Sequence, residues 1–248
     1  MDLVTAQNIG NRIVDSLSNC TTRVVVAGSV RRCKPEVKDI EVVAIVTDYD
    51  RLFAQLRQHG RFIKPGVPEI VDWPPKINAK YIRMFLNGGI KLDLFVGSSD
   101  NWGALLCMRT GSGVGPDGNV HHGFIPAMFR RWKRVSGGGK MVGCQPTMPD
   151  GLQLSVAEER DYFDLLNIKW VEPHNRISSS DVKPLKGTLY CLRFIIFLIT
   201  IGTMVKSLVV GKKITKFTIV TEMNFMSPKT SVPLKVNLFV LFGKYGVA

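Results

Sequence analysis

Two neighbouring stretches decide the fold: Arg23-Val-Val-Val-Ala-Gly-Ser-Val-Arg-Arg32 and Asp39-Ile-Glu-Val-Val-Ala-Ile-Val46. Both are rich in β-branched residues, which is typical of buried strands, and the first run of valines ends at the turn Gly28-Ser29. A glycine there lets backbone N–H groups approach a phosphate, while the serine adds a hydroxyl donor and Arg32 adds fixed positive charge. The sequence therefore predicts two strands with a phosphate-binding turn between them.

The second stretch also carries Asp39 and Glu41, and side chains two residues apart on a strand point to the same face. A third carboxylate, Asp93, lies in the second arm of a hairpin that Asn87-Gly88-Gly89 predicts. A carboxylate within an apolar strand is costly unless it is paired or binds a metal. Carboxylates on one face suit Mg²⁺, and two ions roughly 3.5–4 Å apart can stabilise both the attacking and the leaving oxygen. We therefore expect a two-metal site.

These residues resemble the family X DNA polymerases, the DNA polymerase β-like branch of the nucleotidyltransferase superfamily. Gly28-Ser-Val-Arg-Arg32 followed by Asp39-Ile-Glu41 looks like the first catalytic motif, and Leu92-Asp93-Leu94 looks like the strand of the third carboxylate. Thr110-Gly111-Ser112 looks like the nucleotide-pocket turn, and Ala157–Arg176 looks like the C-terminal signature. The resemblance covers the chain from its first residue to about residue 176. Within the family, the chain is most similar to the minimal viral members, which have a palm and a thumb only.

The resemblance implies an α/β (α+β) fold. Residues 1–104 would form a nucleotidyltransferase palm with a mixed, twisted sheet, and residues 105–176 would form a small α+β thumb. Residues 177–248 match nothing in the family and are expected to be a tail, either a lineage-specific extension or a non-native one.

The resemblance also implies roles for individual residues. Asp39, Glu41 and Asp93 would bind two Mg²⁺ ions, for which Mn²⁺ can substitute, with Asp93 nearest the attacking 3′-hydroxyl. The incoming nucleotide would be held by Gly28, Ser29, Arg32, Lys38, Thr110, Gly111 and Ser112. A basic cluster around Trp132 would contact DNA phosphates through Arg130, Arg131, Lys133 and Arg134. Arg31 is expected to face solvent or nucleic acid.

The implied activity is template-directed transfer of a dNMP to a primer 3′-hydroxyl with release of pyrophosphate, as in short-gap repair synthesis. The partners would be gapped or primed DNA and a dNTP, with no obligate protein partner. Met108-Arg109 stands where relatives carry an aromatic pair, which leaves sugar selectivity open. Two alternatives share the fold: a nucleotidyltransferase that works without a template or on another acceptor, and a nucleic-acid-binding protein that has lost the chemistry.

Composition agrees with a polyanionic partner, because the net charge is +13 over 248 residues. The five cysteines form no C-x-x-C pair and no secretory signal is apparent, so we expect a reducing, intracellular compartment, the host cytoplasm or nucleus if the protein is viral. From residue 177 onward the chain has ten Lys and Arg against Asp181 and Glu222. The uncharged part of the apolar segment 189–205 has only 12 residues, against roughly 20 for a membrane span, so membrane contact there is not expected.

Overall fold

The structure, a computed structural model, describes residues 1–64 and 75–185, together with the backbone of two short strands near the carboxyl end. The chain divides into two units, Met1–Arg193 and Phe194–Ala248. In the described part of the first unit, the main helices and strands in chain order are α1 (Leu3–Leu17), β1 (Thr21–Val26), α2 (Gly28–Arg31), β2 (Asp39–Val46), α3 (Tyr49–His59), β3 (Gly60–Ile63), β4 (Tyr81–Leu86), β5 (Lys91–Val96), α4 (Trp102–Thr110), α5 (Phe124–Val135), β6 (Lys140–Val142), β7 (Gln145–Thr147) and α6 (Glu159–Leu165).

Strands β1 to β5 form one sheet in the order β1-β2-β5-β4-β3. Strands β2 and β5 run parallel, and the other neighbouring pairs run antiparallel. The sheet is therefore mixed, and with the helices around it the predicted α+β fold class is confirmed.

The two faces of this sheet pack against different parts of the chain. One face packs against α1 and α3, where alternate strand residues bury apolar side chains in the core, among them Ile40, Val42, Ile82, Met84, Leu92 and Leu94. Because side chains alternate along a strand, the residues between them point to the other face. On that face Val43 and Phe95 pack against Trp102 and Leu105 of α4. The polar ends of the same strands are left beyond this contact, beside an open cleft.

The second half of the first unit has its own core. Helices α4, α5 and α6 pack around buried aromatic side chains such as Phe124, Trp132 and Tyr162. Helix α4 runs through residues 104 and 105, where the sequence places a domain boundary, so the division into palm and thumb stays a prediction.

The predicted boundary at Arg176 does not end the folded unit. The backbone N–H of Lys169 donates to the carbonyl of Lys183 at 2.9 Å, and that of Leu185 donates to the carbonyl of Asn167 at 3.1 Å. Residues 177–185 therefore pack on the first unit, because the backbone groups after α6 need partners that this segment supplies.

In the second unit, strands β8 (Glu222–Met226) and β9 (Pro233–Asn237) pair antiparallel. The uncharged segment 194–205 lies outside the described residues. None of the helices in the described ranges combines the length and hydropathy that a bilayer crossing needs.

Candidate active site

The three predicted carboxylates come together through strand pairing. Asp39 and Glu41 open β2, and the parallel register sets Glu41 directly beside Asp93 of β5. Both neighbours of Asp93 along its strand, Leu92 and Leu94, belong to the core on the opposite face. The alternation expected from the sequence therefore places all three carboxylates on the cleft side of the sheet.

A cavity of 720 Å³ opens at this face, within the size range of ligand sites. Its floor includes Glu41 and Asp93, and its aromatic side is formed by Tyr81 and Phe95. The opposite wall comes from the turn between β6 and β7, residues 142–145. The amide nitrogen of Asn101 holds this turn by donating to the carbonyl of Gly143 at 3.1 Å.

Gly28 lies against the Glu41 side chain. Its φ is +60°, and a Cβ added there would stand 1.9 Å from Glu41 Oε2. Only glycine meets both demands, because other residues are strained at this φ and carry the atom that would clash. The glycine predicted to admit a phosphate thus also makes room for a carboxylate.

The carboxylate of Glu41 has a raised pKa and lacks a hydrogen-bonded cationic partner among the described residues. Burial raises its pKa to about 7, with a further contribution from the negative charge of Asp39, while Arg32 and Arg109 act in the opposite direction. Within the described residues, no hydrogen bond reaches its carboxylate. A cation bound between Asp39 and Glu41 would relieve both causes of the raised pKa, so these two residues fit a hard divalent ion.

Asp93 is in a different state, since its carboxylate already has three donors. Arg83 Nε donates to Oδ1 at 2.7 Å and Arg83 Nη2 donates to Oδ2 at 2.8 Å, while the Tyr81 hydroxyl donates to Oδ1 at 2.8 Å. In keeping with this, the described residues contain no group of three or more His, Cys, Asp or Glu side chains arranged to hold a metal ion. Asp39 and Glu41 therefore fit a metal ion as they stand. Asp93 can serve as a metal ligand only to the extent that Arg83 releases its carboxylate.

The residues predicted to hold phosphate lie near the carboxylates. Ser29 is half-buried in α2, and Lys38 is exposed just before β2. Arg32 donates through Nη1 to the carbonyl of Thr110, and its Nε is buried without a partner among the described residues. Burial lowers the pKa of Arg32, and the charges of Glu41 and Asp39 oppose this. Arg32 therefore faces the carboxylates and keeps unused N–H donors.

The predicted Thr-Gly-Ser turn does not line the cleft. Thr110 is fully buried, and its hydroxyl accepts a hydrogen bond from Arg31 at 2.7 Å. Gly111 is buried, and a Cβ there would stand 2.6 Å from Ile125. The Ser112 hydroxyl donates to the carbonyl of Val114 at 2.7 Å. Thr110 and Gly111 pack at the junction of α4 and α5, away from the cleft lining, so their contact with a nucleotide stays a prediction that this packing does not favour.

Arg31 was expected to face solvent or nucleic acid, but its guanidinium is paired with a buried carboxylate and its side chain is only 24% exposed. Its two terminal nitrogens donate to Glu159 at 2.8 and 2.6 Å, and the fully buried Arg176 donates to the same carboxylate. Burial opposes ionisation of Glu159, but the hydrogen bonds from both arginines outweigh it and hold the pKa of that carboxyl below its usual value.

The basic cluster on α5 is split by burial. Arg130, Lys133 and Arg134 lie at the surface, as the DNA-binding prediction requires. Arg131 is only 6% exposed, and it donates to the carbonyls of Leu166 and Asn167 at 2.8 and 3.2 Å. This side chain caps the end of α6, whose last carbonyls need donors, and its burial argues against the predicted contact of Arg131 with DNA.

Sequence reasoning missed two arginines of the cleft. Arg83 was predictable, because hairpin pairing around Asn87-Gly88-Gly89 sets Arg83 opposite Asp93 and the alternation puts both on one face. Arg109 was noted only as a departure from the family, and its guanidinium lies 3.8 Å from the centre of the Phe95 ring, beside Glu41. No pattern in the sequence indicates that stacking, which arises where α4 crosses β5.

Comparison with known proteins finds no matching family model and no similar curated protein. The likeness to family X polymerases consequently rests on the motif residues.

Proposed function

We propose that this protein is a nucleotidyltransferase, and specifically a DNA-directed DNA polymerase of the family X type that fills short gaps. One observation carries the proposal: parallel pairing of β2 and β5 sets Glu41 beside Asp93 at the floor of a 720 Å³ cleft. Asp39 lies two residues before Glu41, on the same face of β2. Gly28 lies against the Glu41 side chain, and Ser29 follows it in α2. This is the residue set that metal-assisted phosphoryl transfer uses.

In the proposed reaction the primer 3′-hydroxyl oxygen attacks the α-phosphorus of a dNTP. A new P–O bond forms, the bond to the bridging β-phosphate oxygen breaks, and pyrophosphate leaves. Asp93 would accept the hydroxyl proton and pass it to water. Mg²⁺ bound by the carboxylates would neutralise phosphate charge and orient the reacting oxygens. Ser29, Lys38 and the free N–H donors of Arg32 would hold the outer phosphates.

The proposed acceptor is a nucleic acid, and the proposed transfer is directed by a template. The surface basic residues Arg130, Lys133 and Arg134 favour a nucleic acid as acceptor, because they offer phosphate contacts on one helix. A transferase that adds nucleotides without a template would use the same carboxylates, and only the choice of incorporated base distinguishes it.

A second candidate is a nucleic-acid-binding protein without activity. A specific observation favours it: Arg83 occupies both oxygens of Asp93, so the carboxylate needed for chemistry is already neutralised. In that case Asp93 would stabilise the sheet and nothing more.

The deciding experiment is primer extension by the full chain on a one-nucleotide gap, with Mg²⁺ and each dNTP in turn. We expect incorporation of the templated base, reduced by at least about a hundredfold in Glu41→Gln and Asp93→Ala, as removal of a preorganised electrostatic group does. Asp15→Asn, which removes a carboxylate from α1, far from the cleft, is the matched control and should retain activity.

Untemplated addition in this experiment would indicate the template-independent transferase. No addition by a folded protein that still binds the gapped DNA would favour the inactive binding protein.

A further inference from the structure

The contact between Arg83 and Asp93 joins opposite residues of an antiparallel strand pair. Register places them directly opposite each other on β4 and β5, and the guanidinium meets the carboxylate with two parallel N–H···O bonds of 2.7 and 2.8 Å. Such two-point pairing is the strongest geometry that arginine and carboxylate form. Tyr81, two residues before Arg83 on the same strand, adds a third hydrogen bond of 2.8 Å.

These donors leave little of the Asp93 carboxylate for another ligand. A carboxylate offers about four acceptor positions on its two oxygens. Arg83 and Tyr81 together fill three of these positions. The one open position is on Oδ2, which already accepts from Arg83 Nη2. A cation bound through both oxygens of Asp93 must displace at least one donor, and a cation bound through Oδ2 alone would lie against the positively charged guanidinium of Arg83.

The two partners differ in their freedom to move. The Asp93 side chain is 8% exposed, whereas the Arg83 side chain is 37% exposed at the wall of the cleft. A long arginine side chain can keep its stem against the sheet while its charged end moves into water. Asp93 has no comparable path, because β5 is a central strand between β2 and β4. The moving partner is therefore Arg83.

Glu41 provides the contrast within the same cleft. It lies beside Asp93 in register, and its carboxylate has no hydrogen-bond partner in the described part of the chain. Among the described residues, a cation at Asp39 and Glu41 breaks no side-chain hydrogen bond, whereas a cation at Asp93 competes with an arginine.

Building on the proposed function, we infer that Arg83 is a displaceable counter-ion of Asp93, which makes the two cation sites unequal. The first divalent cation binds at Asp39 and Glu41 with the arginine pair intact. The second recruits Asp93 and binds only as Arg83 leaves. Arg83 is thus a positioning residue that sets the affinity of the second site, and by linkage cation binding weakens the ion pair to the same extent.

The test is a titration of the full chain with Mn²⁺, counting free ion by electron paramagnetic resonance. We expect the wild type to bind one Mn²⁺ before a second, and Arg83→Gln to bind the second about tenfold more tightly, a coupling of ordinary size. Arg61→Gln is the matched control: it removes the same charge from the exposed side of the adjacent strand β3 and should leave both affinities nearly unchanged. Equal effects of the two variants would mean that only net charge matters, and would overturn the inference, as would no effect of either.

A second measurement uses the wild type alone, so the inference stays testable if Arg83→Gln does not fold. The Nε–H proton of Arg83, bonded to Asp93, should give a shifted and protected NMR signal without metal, and Mg²⁺ should return it to the position of a free arginine. A signal that persists at saturating Mg²⁺ would refute the displacement.

Failure of the inference and failure of the proposed function give different results. Binding of one Mn²⁺ that Glu41→Gln removes, with an unchanged Arg83 signal, overturns the inference and leaves the proposed function intact. Two unequal sites in a protein that extends no primer support the inference and overturn the proposed activity. A wild type that binds no Mn²⁺ overturns both.

Discussion

Two arginine–carboxylate clusters of this protein share their chemistry and differ in their surroundings. Around Glu159, Arg31 and Arg176 close on one buried carboxylate, and Arg176 is fully buried beside the rings of Phe163 and Trp170. Around Asp93, a single arginine reaches across from the neighbouring strand with its side chain 37% exposed.

Burial of the arginine, rather than the ion pair itself, therefore separates a structural contact from a functional one. When both partners are buried, breaking the pair leaves an uncompensated charge in the interior, so the pair is permanent. When the arginine can move into water, the pair can open at modest cost.

The largest effect is expected at Glu159. Glu159→Gln leaves two arginines facing a neutral group, and we expect it to lower the free energy of unfolding by about 3–5 kcal/mol, measured by urea denaturation. The neighbouring residue supplies the control, because the side chain of Glu158 is 58% exposed where it pairs with Arg23. Glu158→Gln should cost less than about 1 kcal/mol. Similar losses in the two variants would contradict the importance of burial.

Glu41 represents the opposite case, a half-buried carboxylate without a hydrogen-bonded counter-ion among the described residues, and should make stability depend on pH. Its pKa rises from 4.5 in the unfolded chain to about 7 in the folded protein, so the folded state binds the proton more tightly. The resulting stability is complete below the unfolded pKa and is lost as the pH rises through about 7.

We therefore expect Glu41→Gln, measured with a metal chelator present, to match the wild type at acid pH and to exceed it by roughly 3 kcal/mol above about pH 8. Added Mg²⁺ should narrow that gap by binding the ionised wild type. A gap that is independent of pH would argue against a buried, ionising Glu41.

A smaller effect is expected at Arg83. Arg83→Gln leaves Asp93 with Tyr81 and with water from the cleft, so the loss of unfolding free energy should be about 1–3 kcal/mol. Arg83→Gln combined with Asp93→Asn should recover part of that loss, because the remaining group is neutral. A loss of unfolding free energy as large as that of Glu159→Gln would show that the two clusters are equivalent and that exposure of the arginine makes no difference.

The smallest effect is expected at the exposed basic residues of α5, which have no buried partner to lose. Lys133→Gln with Arg134→Gln should weaken DNA binding and reduce the slope of log affinity against log salt by about one for each phosphate that the variant no longer binds. Arg131→Gln should leave that slope unchanged, since Arg131 donates to backbone carbonyls. Removal of Arg57 and Arg61, two exposed charges elsewhere, is the control for net charge.

Sequence patterns predicted the strands of the site well. The strand from Asp39 to Val46 and the hairpin around Asn87-Gly88-Gly89 are present as expected, because local β propensity and the turn residues agree with the burial pattern there. The parallel pairing of β2 with β5 was not predicted, since the family resemblance implied only that Asp93 joins Asp39 and Glu41 at one metal site.

Some roles of the site residues follow from neighbours in the sequence, and others follow from contacts with residues that are remote in the sequence. Asp39 and Glu41 share a face because they lie on one strand, so local geometry predicted them. Thr110 and Arg131 were predicted to meet ligands, but both are buried by elements that are remote in sequence, as in the contact of Arg131 with Leu166. Motif reading cannot detect such packing.

The amino-acid sequence alone predicted the strands that carry the site, the side of the sheet on which each carboxylate lies, and the excess of positive charge. The strands and their faces depend on the alternation of side chains over a few neighbouring residues, and the net charge depends on composition alone. Only the tertiary structure decided which arginine serves which carboxylate: Arg83 at Asp93, Arg31 and Arg176 at Glu159, and none within hydrogen-bonding distance of Glu41 among the described residues. Charged side chains can pair with any opposite charge within reach, and reach is set by the packing of strands and helices that are remote in sequence.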